Sequence, residues 1–394
     1  MPALDYVPTT DQPITKYQPN IYKEAAIDEP RIAYNLDGTI RGLMVEESRT
    51  NLFDYSDVSS GTAEQISLGA EIPGPTINLT KLVSNTTSTN AHRFKKKLAL
   101  SAGAHVFTAE VKQADFADCQ ILIFDVTAGA TLVSASFGFA SETVTTGGSS
   151  IGSGFSDKGN GVYELWVATT VVNAGDHTAM LIPKGGTYAG NGWDGTYFGH
   201  LGLYEGSAPP LAPIVTQGSQ VTKGNENPEK TTDMAALFPN PNKYGFVVES
   251  ELPYTPAAGK FPRVLEVDSG SNNDRFSLAS NDSGRLAAFI FTDNQIDGEV
   301  EIMPAGEYAG TGKHRVAVFV DNDAKTVRAS VDGGDVITSP ITTNAPKPAR
   351  IGFGEKLSGG HYLNGYLHAG TPQRPGLQIL QGEHTDADLK ALSA

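Results

Sequence analysis

Cysteine is nearly absent from this sequence, since Cys119 is the only one in 394 residues. A single cysteine can form neither an intrachain disulfide nor a cysteine-based zinc site. It stands in the strand-like run DCQILIF, so we interpret it as a small buried hydrophobe. Long apolar runs are also lacking: nothing approaches the roughly 18 residues of a membrane span, and we expect no membrane insertion.

Positive charge is scarce as well. Lys and Arg number 29 against 44 Asp and Glu, a net charge of −15, and the one basic cluster is 95–97. An acidic surface repels phosphate backbones, so we expect no nucleic-acid partner. The N-terminus lacks the basic and apolar regions of a secretory signal, which predicts a protein that is made in a cytoplasm.

Turn-forming residues are abundant, with 43 Gly and 23 Pro, and short apolar runs alternate with Gly, Ser and Asn turns. In AHVFTAEVK (104–112), alternate side chains face opposite sides, which is typical of a strand with one buried face. The sequence predicts an all-β fold: two tandem β-sandwich (jelly-roll) domains after an extended N-terminal arm, and a short C-terminal helix. That helix is expected in TDADLKALSA, with Thr385 as N-cap and Asp388 three residues on.

The pattern divides the chain into four parts. Residues 1–49 form an extended attachment arm and joint, and residues 50–210 form the first jelly roll. Residues 211–232, which begin within the run PPLAP (209–213) with its three prolines in five residues, are predicted to form a linker, and residues 233–394 the second jelly roll.

The first 29 residues are rich in proline, which prevents a helix and favours extended chain. Tyr6, Tyr17 and Tyr22 are spaced between the prolines. Isolated tyrosines on such an arm are useful where a partner surface buries them, so we interpret them as docking residues for attachment. The alternative is simple disorder.

The stretch RGLMVEESRTNL (41–52) concentrates charge where the proline-rich part meets the β-rich part. Glu46 and Glu47 are adjacent, so on an extended strand they point to opposite faces and cannot flank one scissile bond. We predict a structural joint in which Glu46 and Arg49 form an ion pair, and Asn51 belongs to the same joint.

Three segments resemble tailed-bacteriophage virion proteins. PRIAYNLDGTIRGLMVEESRTNLFDYSD (30–57) is similar to an N-terminal signature, PR…Y…G…GLLVE..RTNL..YS, that precedes a carbohydrate-binding-like jelly roll in those proteins. Segments 157–171 and 188–222 resemble the closing strands of that jelly roll, although Val162 stands where relatives usually carry Trp. Residues 263–394 are similar to laminin-G or concanavalin-A-like jelly rolls.

This resemblance implies a virion structural protein, either a tail fibre or a spike. Such a protein attaches the particle to the host by receptor binding, and the expected ligand is host cell-surface polysaccharide. It implies other virion proteins as partners through the arm, a homo-oligomer with a trimer as the default, and location in the virion after synthesis in the host bacterial cytoplasm. One alternative is a head-decorating fibre with weak adhesion. Another is a polysaccharide depolymerase that uses Glu249 with Glu266 or Asp268. The sequence carries neither an H-E-x-x-H motif nor a P-loop, so we predict no enzyme.

The candidate glycan-binding residues lie in GNGWDGTYFGH (190–200): Trp193, Asp194, Tyr197 and His200. An exposed aromatic ring stacks on the apolar face of a sugar while carboxylates bond its hydroxyls. We favour the alternative, that Trp193 closes the end of the sandwich and the glycines merely make the turn.

Two Asp- and Asn-rich loops, 268–274 and 321–325, have the oxygen ligands that Ca²⁺ prefers. Asp, Asn and Gly are also expected at hairpin turns for backbone reasons, and we favour that explanation. We therefore predict no metal and no cofactor. Asn364-Gly365 is expected to form a tight hairpin turn.

Overall fold

The computed structural model describes residues 5–8, 14–18, 21–25, 31–35, 39–85, 92–230, 232–271, 273–356, 361–371 and 373–394. Over these residues the protein is all-β, with two β-sandwiches and a short C-terminal helix, as the sequence predicted. The strands before residue 52 are β1 (Asp5–Pro8), β2 (Ile14–Gln18), β3 (Ile21–Ala25), β4 (Ile32–Tyr34), β5 (Ile40–Val45) and β6 (Arg49–Asn51).

The first sandwich follows directly. Its strands are β7 (Thr62–Glu64), β8 (Ile66–Ile72), β9 (Leu79–Ser84), β10 (Arg93–Leu100), β11 (Gly103–Lys112), β12 (Asp118–Asp125), β13 (Ala130–Gly138), β14 (Thr143–Gly148), β15 (Ser150–Gly159), β16 (Val162–Val171), β17 (Gly175–Ile182) and β18 (Gly195–Glu205). Within the described residues they form two six-stranded antiparallel sheets, β14-β13-β12-β17-β10-β7 and β15-β16-β11-β18-β9-β8.

The remaining elements belong to the joint and the second sandwich. They are β19 (Val221–Lys223), β20 (Glu226–Lys230), α1 (Met234–Leu237), β21 (Lys243–Glu251), β22 (Arg263–Asp268), β23 (Arg275–Ser280), β24 (Leu286–Thr292), β25 (Gln295–Met303), β26 (Lys313–Asp321), β27 (Thr326–Val331), β28 (Ile337–Pro340), β29 (Arg350–Phe353), β30 (Gly365–His368), β31 (Leu377–Gln381) and α2 (Asp386–Ser393). One sheet runs β1-β20-β29-β22-β23-β24-β25 and the other runs β28-β27-β26-β21-β30-β5-β4, with β31 also pairing β21. Neither described helix is long and apolar enough to cross a membrane.

The first sandwich is inserted into the second. Strand β5 pairs with β30, which in turn pairs with β21, so the chain enters the second sandwich before it builds the first. Residues 31–45 therefore belong to the second sandwich and not to an arm, because Val45 is fully buried in its core. Asp-Gly is a pair that favours a tight turn. Asp37 and Gly38, which stand between β4 and β5, lie outside the described residues, although the two strands do pair.

The segment predicted as a linker (211–232) is built into the fold. Strand β19 pairs with β6, and β20 joins the seven-stranded sheet. Ala212 and Ile214 are buried against neighbouring structure. This burial explains why the segment is ordered despite its prolines.

Local predictions have mixed outcomes. The terminal helix is confirmed, with a capping box in which Thr385 accepts from the Asp388 amide and Asp388 accepts from the Thr385 amide. The hairpin turn predicted at Asn364-Gly365 is wrong, because β30 begins at Gly365 and finds its partners in β5 and β21, far away in sequence.

Candidate functional site

The joint is centred on Glu46, which is 1% exposed. Its carboxylate contacts Arg31 at 3.2 Å and Lys223, and it accepts the amide of Leu211. Burial opposes ionisation, but Lys223 and Arg31 outweigh it and hold the pKa of Glu46 below its ordinary value. Arg31 precedes the inserted sandwich in the chain, and Leu211 and Lys223 follow it. This carboxylate therefore joins the segment that enters the first sandwich to the segment that returns from it.

The ion pair predicted between Glu46 and Arg49 is not formed. Arg49 instead contacts Glu47 at 2.9 Å and donates to the backbone oxygen of Glu205. The reason is the strand alternation that separates the two glutamates: Glu46 faces the buried side, where Lys223 reaches it, and Arg49 shares the side of Glu47.

Asn51 is the second centre of the joint and is completely buried. Its amide nitrogen donates to backbone oxygens of Ile214 at 2.8 Å and Leu201 at 3.1 Å. Its amide oxygen accepts from the backbone nitrogens of Leu203 at 3.1 Å and Phe53 at 3.2 Å. One side chain thus joins β18 to the segment that enters the first sandwich, at Phe53, and to the segment that returns from it, at Ile214. These contacts support a structural role for Asn51.

The loop that precedes β18 presents Trp193 to solvent with 78% of its surface exposed. The amides of Trp193 and Asp194 both donate to Oδ1 of Asn191 at 2.9 Å. The loop backbone is also tied to β9, where Ser84 O accepts from Gly192 at 2.8 Å and Ser84 N donates to Asp194 O at 2.9 Å. The alternative that Trp193 closes the sandwich is wrong, because the side chain is exposed and its loop is held in place by other groups.

The base of this loop is close-packed. A Cβ at Gly190 would lie 1.6 Å from the backbone oxygen of Asn85, so only glycine fits there. The hydroxyls of Ser84 and Tyr188 are 2.6 Å apart, and Lys184 Nζ lies 5.2 Å from the centre of the Tyr188 ring. The tryptophan therefore projects from a rigid platform.

The other predicted glycan residues separate into two groups. Asp194 and Tyr197 are half-buried near Trp193, and Tyr197 pairs across strands with Lys81. His200 is fully buried, and its Nε2 lies 3.2 Å from the backbone oxygen of Ile214. Burial lowers the pKa of His200 to about 4, so the ring is neutral and structural, and it does not reach the surface beside Trp193.

The carboxylates of the alternative catalytic pair lie on opposite surfaces of the second sandwich. Val248, Leu265 and Val267 face its core, so Glu249 on one sheet and Glu266 on the other face outward. Sheets pack roughly 10 Å apart, which with outward side chains exceeds the ~5–9.5 Å of glycosidase carboxylate pairs. Asp268 lies two residues from Glu266 on the same strand, β22, and so also belongs to the sheet opposite that of Glu249. These pairings are therefore excluded by the geometry.

The Asp-rich loops bond to their own backbone. Asp321 Oδ1 accepts from the amides of Asp323 at 3.0 Å and Ala324 at 2.9 Å, and Asp268 Oδ1 accepts from Gly270 at 2.8 Å. These are turn interactions, as favoured above. In the part of the chain that is described, no three His, Cys, Asp or Glu side chains are grouped to hold a metal ion.

The predicted docking residues Tyr6, Tyr17 and Tyr22 have side chains outside the described part of the structure. Their backbone lies in strands, since β1 pairs with β20 and β2 pairs with β3.

No protein-family model matches the chain, and no curated protein matches it. Among solved structures, the CBM40 of Ruminococcus gnavus IT-sialidase matches at 13% identity over 43% of this chain and 92% of that one, with a TM-score of 0.33. The same domain bound to α2,3-sialyllactose matches at 14% identity over 39% of this chain and 83% of that one, with a TM-score of 0.30. Domains LG4-5 of the mouse laminin α1 chain match at 11% identity over 77% of this chain and 90% of that one, with a TM-score of 0.26. Nothing about the ligand of this chain rests on scores this low.

Sequence reasoning missed the partners of the joint. Arg31 and Lys223 stand 15 and 177 positions from Glu46, and neither has a local motif that would connect it to that carboxylate. Sequence did contain one signal: Arg31 lies within the 30–57 segment that carries the family resemblance.

Proposed function

We propose that this protein is an adhesion component of a tailed-bacteriophage virion, a fibre or spike, and that its first sandwich binds carbohydrate through Trp193. The virion assignment rests on the resemblance of residues 30–57. The carbohydrate assignment rests on one observation, the 78% exposure of Trp193 on a fixed loop.

Exposure of this indole costs stability in the free protein. Burial of a large apolar side chain contributes ~1.5–3 kcal/mol, which Trp193 forgoes. The loop is held by four hydrogen bonds, described above, so binding would order little that is not already ordered. A ligand that covers the ring gains the apolar contact without that entropic cost.

A sugar fits the surroundings of Trp193. An indole face suits the apolar face of a pyranose, and polar groups must then meet the hydroxyls. Asp194 is half-buried beside the ring, and Asp115 and Lys81 form an ion pair at 2.6 Å beside the first residue of β18, where Gly195 N donates to Asp115 at 3.0 Å. Carbohydrate recognition needs an aromatic ring for the sugar face and polar groups next to it for the hydroxyls, and this surface offers both.

The carbohydrate proposal is tested by retention of the full chain on purified host surface polysaccharide. We expect Trp193→Ala to weaken retention at least tenfold, which corresponds to about 1.4 kcal/mol. The matched control is Val172→Ala, since Val172 is 77% exposed and lies at the other end of β17. Equal loss in both variants, or no loss in Trp193→Ala, would contradict the role of Trp193.

The same incubation tests the absence of catalysis. We expect no reducing ends to be released from the polysaccharide. Release by the wild-type chain would show a depolymerase and overturn the purely adhesive proposal.

The virion proposal is tested by labelling this protein on particles. We expect label on particles and its loss when residues 1–29 are deleted, because those residues form the proposed attachment arm. Label on tail tips supports a fibre or spike, and label on heads supports the head-decorating alternative. Normal occupancy by the truncated chain would contradict attachment through the arm.

A further inference from the structure

A concave surface lies between the two sandwiches, beside the joint. This cleft has a volume of about 660 Å³ and we call it the joint cleft. One wall is formed by residues 46–52 and 205–211 with part of β19, and the other by residues 252–262 and 361–364 of the second sandwich. Ligand pockets of ~300–1,000 Å³ are found preferentially at such domain interfaces.

Hydrogen bonds across the cleft hold its walls in place. Glu47 N donates to Asn364 Oδ1 at 2.8 Å, which connects the joint to the second sandwich. The Glu47 carboxylate contacts Arg49 at 2.9 Å on its own wall and Lys260 at 3.6 Å on the other. The site is therefore preformed, which lowers the cost of binding.

The backbone of the second wall is unusual. His361 has φ +61° and Asn364 has φ +50°, a left-handed conformation that is uncommon outside glycine. Asparagine and histidine adopt it more readily than other non-glycine residues. The backbone oxygen of His361 accepts from the backbone nitrogen of Arg263 at 3.1 Å, and its Nδ1 accepts from Phe261 N at 3.3 Å, which fixes the imidazole at the cleft.

The cleft offers donors and acceptors without surplus charge. Two cations, Arg49 and Lys260, balance the carboxylates of Glu47 and Glu205, and the third carboxylate, Glu46, is already paired below the surface. His361 is neutral at neutral pH, since burial and then nearby cations, Arg263 first, lower its pKa to about 4. Because Nδ1 of His361 accepts a hydrogen bond, Nε2 carries the proton and is a donor.

We propose that the joint cleft binds a neutral oligosaccharide and is a glycan site separate from Trp193. Asn364, Tyr362 and His361 supply amide, hydroxyl and imidazole groups for sugar hydroxyls, and Tyr254 and Pro256 supply apolar surface. The balanced charge disfavours a polyanionic ligand. This goes beyond the proposed role of Trp193 and does not depend on it.

The two sites are far apart. Strand β18 runs from the Trp193 loop to Glu205 at the cleft and has 11 residues, a span of roughly 33 Å at ~3.3 Å per residue. One monosaccharide cannot contact both. A long polysaccharide that occupies both sites would be bound with the avidity of a bivalent ligand.

The experiment uses a natural reporter. The chain has two tryptophans, and in a Trp193→Ala background only Trp166 remains. The ring of Trp166 lies 5.6 Å from that of Tyr254, which lines the cleft. Titration calorimetry and Trp166 fluorescence are measured in this background with malto-, cello-, manno- and chito-hexaose, and with hexagalacturonate as the anionic probe.

We expect at least one neutral hexasaccharide to bind with a Kd of about 1 mM or below and to change Trp166 fluorescence. Ala257→Phe or Thr255→Phe, which narrow the cleft at exposed lining positions, should weaken binding at least tenfold. Ala128→Phe, at an exposed turn of the first sandwich, should leave it unchanged.

The proposal is overturned if none of the neutral probes binds, if hexagalacturonate binds most tightly, or if both cleft variants bind as the background does. Circular dichroism confirms that each variant is folded. In the reverse arm, Ala257→Phe in the wild-type background should lose the avidity of the second site but keep the part of polysaccharide retention that depends on Trp193. The failure of one site is thus distinguishable from the failure of the other.

Discussion

The joint and the Trp193 loop are opposite in construction. At the joint, charged and amide side chains are buried and bonded on several sides: Glu46 and Asn51 are 1% and 0% exposed. At the loop, a large apolar ring is 78% exposed, while the amides of Trp193 and Asp194 beneath it both donate to Asn191.

The contrast shows how to separate structure from binding in this chain. Buried polar groups with many partners hold elements in one arrangement and are costly to remove. An exposed apolar group such as the Trp193 ring contributes little to stability, so its replacement tests the proposed binding role with little effect on the fold. The charged residues of RGLMVEESRTNL (41–52) therefore hold the fold together, and the loop GNGWDG (190–195) remains the candidate binding site.

The largest predicted effect is at Glu46. Replacement by Ala removes the carboxylate that both Arg31 and Lys223 contact inside the protein, and we expect a loss of about 3–5 kcal/mol in the free energy of unfolding. Urea denaturation measures this loss. Glu47→Ala is the matched control in the neighbouring position, where the ion pairs with Arg49 and Lys260 are only partly buried, so a smaller loss is expected. Equal effects in the two variants would contradict a joint centred on Glu46.

Asn51→Ala should follow. It leaves the backbone groups of Ile214, Leu201 and Leu203 without their side-chain partner, at a cost of about 2–4 kcal/mol. Asn35→Ala is the comparison, because that side chain is exposed and donates to the hydroxyl of its near neighbour Thr39. We expect its unfolding midpoint in urea to stay that of the wild type.

Glu110 extends the comparison to a buried carboxyl with a different environment. Its Oε1 accepts from Thr76, its Oε2 has no partner among the described residues, and burial raises its pKa to about 8. The folded state therefore holds a proton that the unfolded chain loses near pH 4.5, so this contribution to stability is complete below pH 4.5 and falls as pH rises towards 8.

Glu110→Gln keeps the shape of the protonated acid and removes its titration. Between pH 5 and pH 7 we expect the variant to gain about 2–3 kcal/mol of stability relative to the wild type, since one pKa unit is ~1.4 kcal/mol. Thermal unfolding across this pH range measures the difference. A constant difference at all pH values would show that Glu110 does not titrate in the folded state as described.

The smallest effect on stability is expected at Trp193. Trp193→Ala should change the free energy of unfolding by less than about 0.5 kcal/mol, as for other exposed positions. Trp166→Ala is the contrast, because that ring is half-buried and contacts Tyr254 of the other sandwich. A large loss at Trp193 would indicate a structural role for the loop and weaken its assignment to binding.

Sequence reasoning recovered what local patterns encode. The all-β class follows from alternation and turns, and the cap at Thr385 follows from its spacing to Asp388. The inserted topology could not be predicted, because the pairing of Val45 with Gly365 joins residues that share no local signal. Such non-local pairing is decided by packing and not by propensity.

The same limit applies to burial. Strand β11 was expected to have one wet face, yet Thr108 and Glu110 on that face are 0% and 1% exposed. Nearby, Val106 packs with Ile214 of the returning segment, which covers the outer face of the sheet. Alternation shows which side chains share a face, but not what covers that face. The exposure of Trp193 was likewise invisible in the sequence, although the residue itself was singled out.

The most direct test of the account is fluorine NMR of the full chain with both tryptophans labelled as 5-fluorotryptophan. The two signals are assigned with Trp193→Phe and titrated with host surface polysaccharide. We predict that the Trp193 signal shifts or broadens as the polysaccharide binds, and that Trp193→Phe lowers the affinity. Binding that leaves the Trp193 signal unchanged would contradict the claim that this exposed ring is the carbohydrate platform.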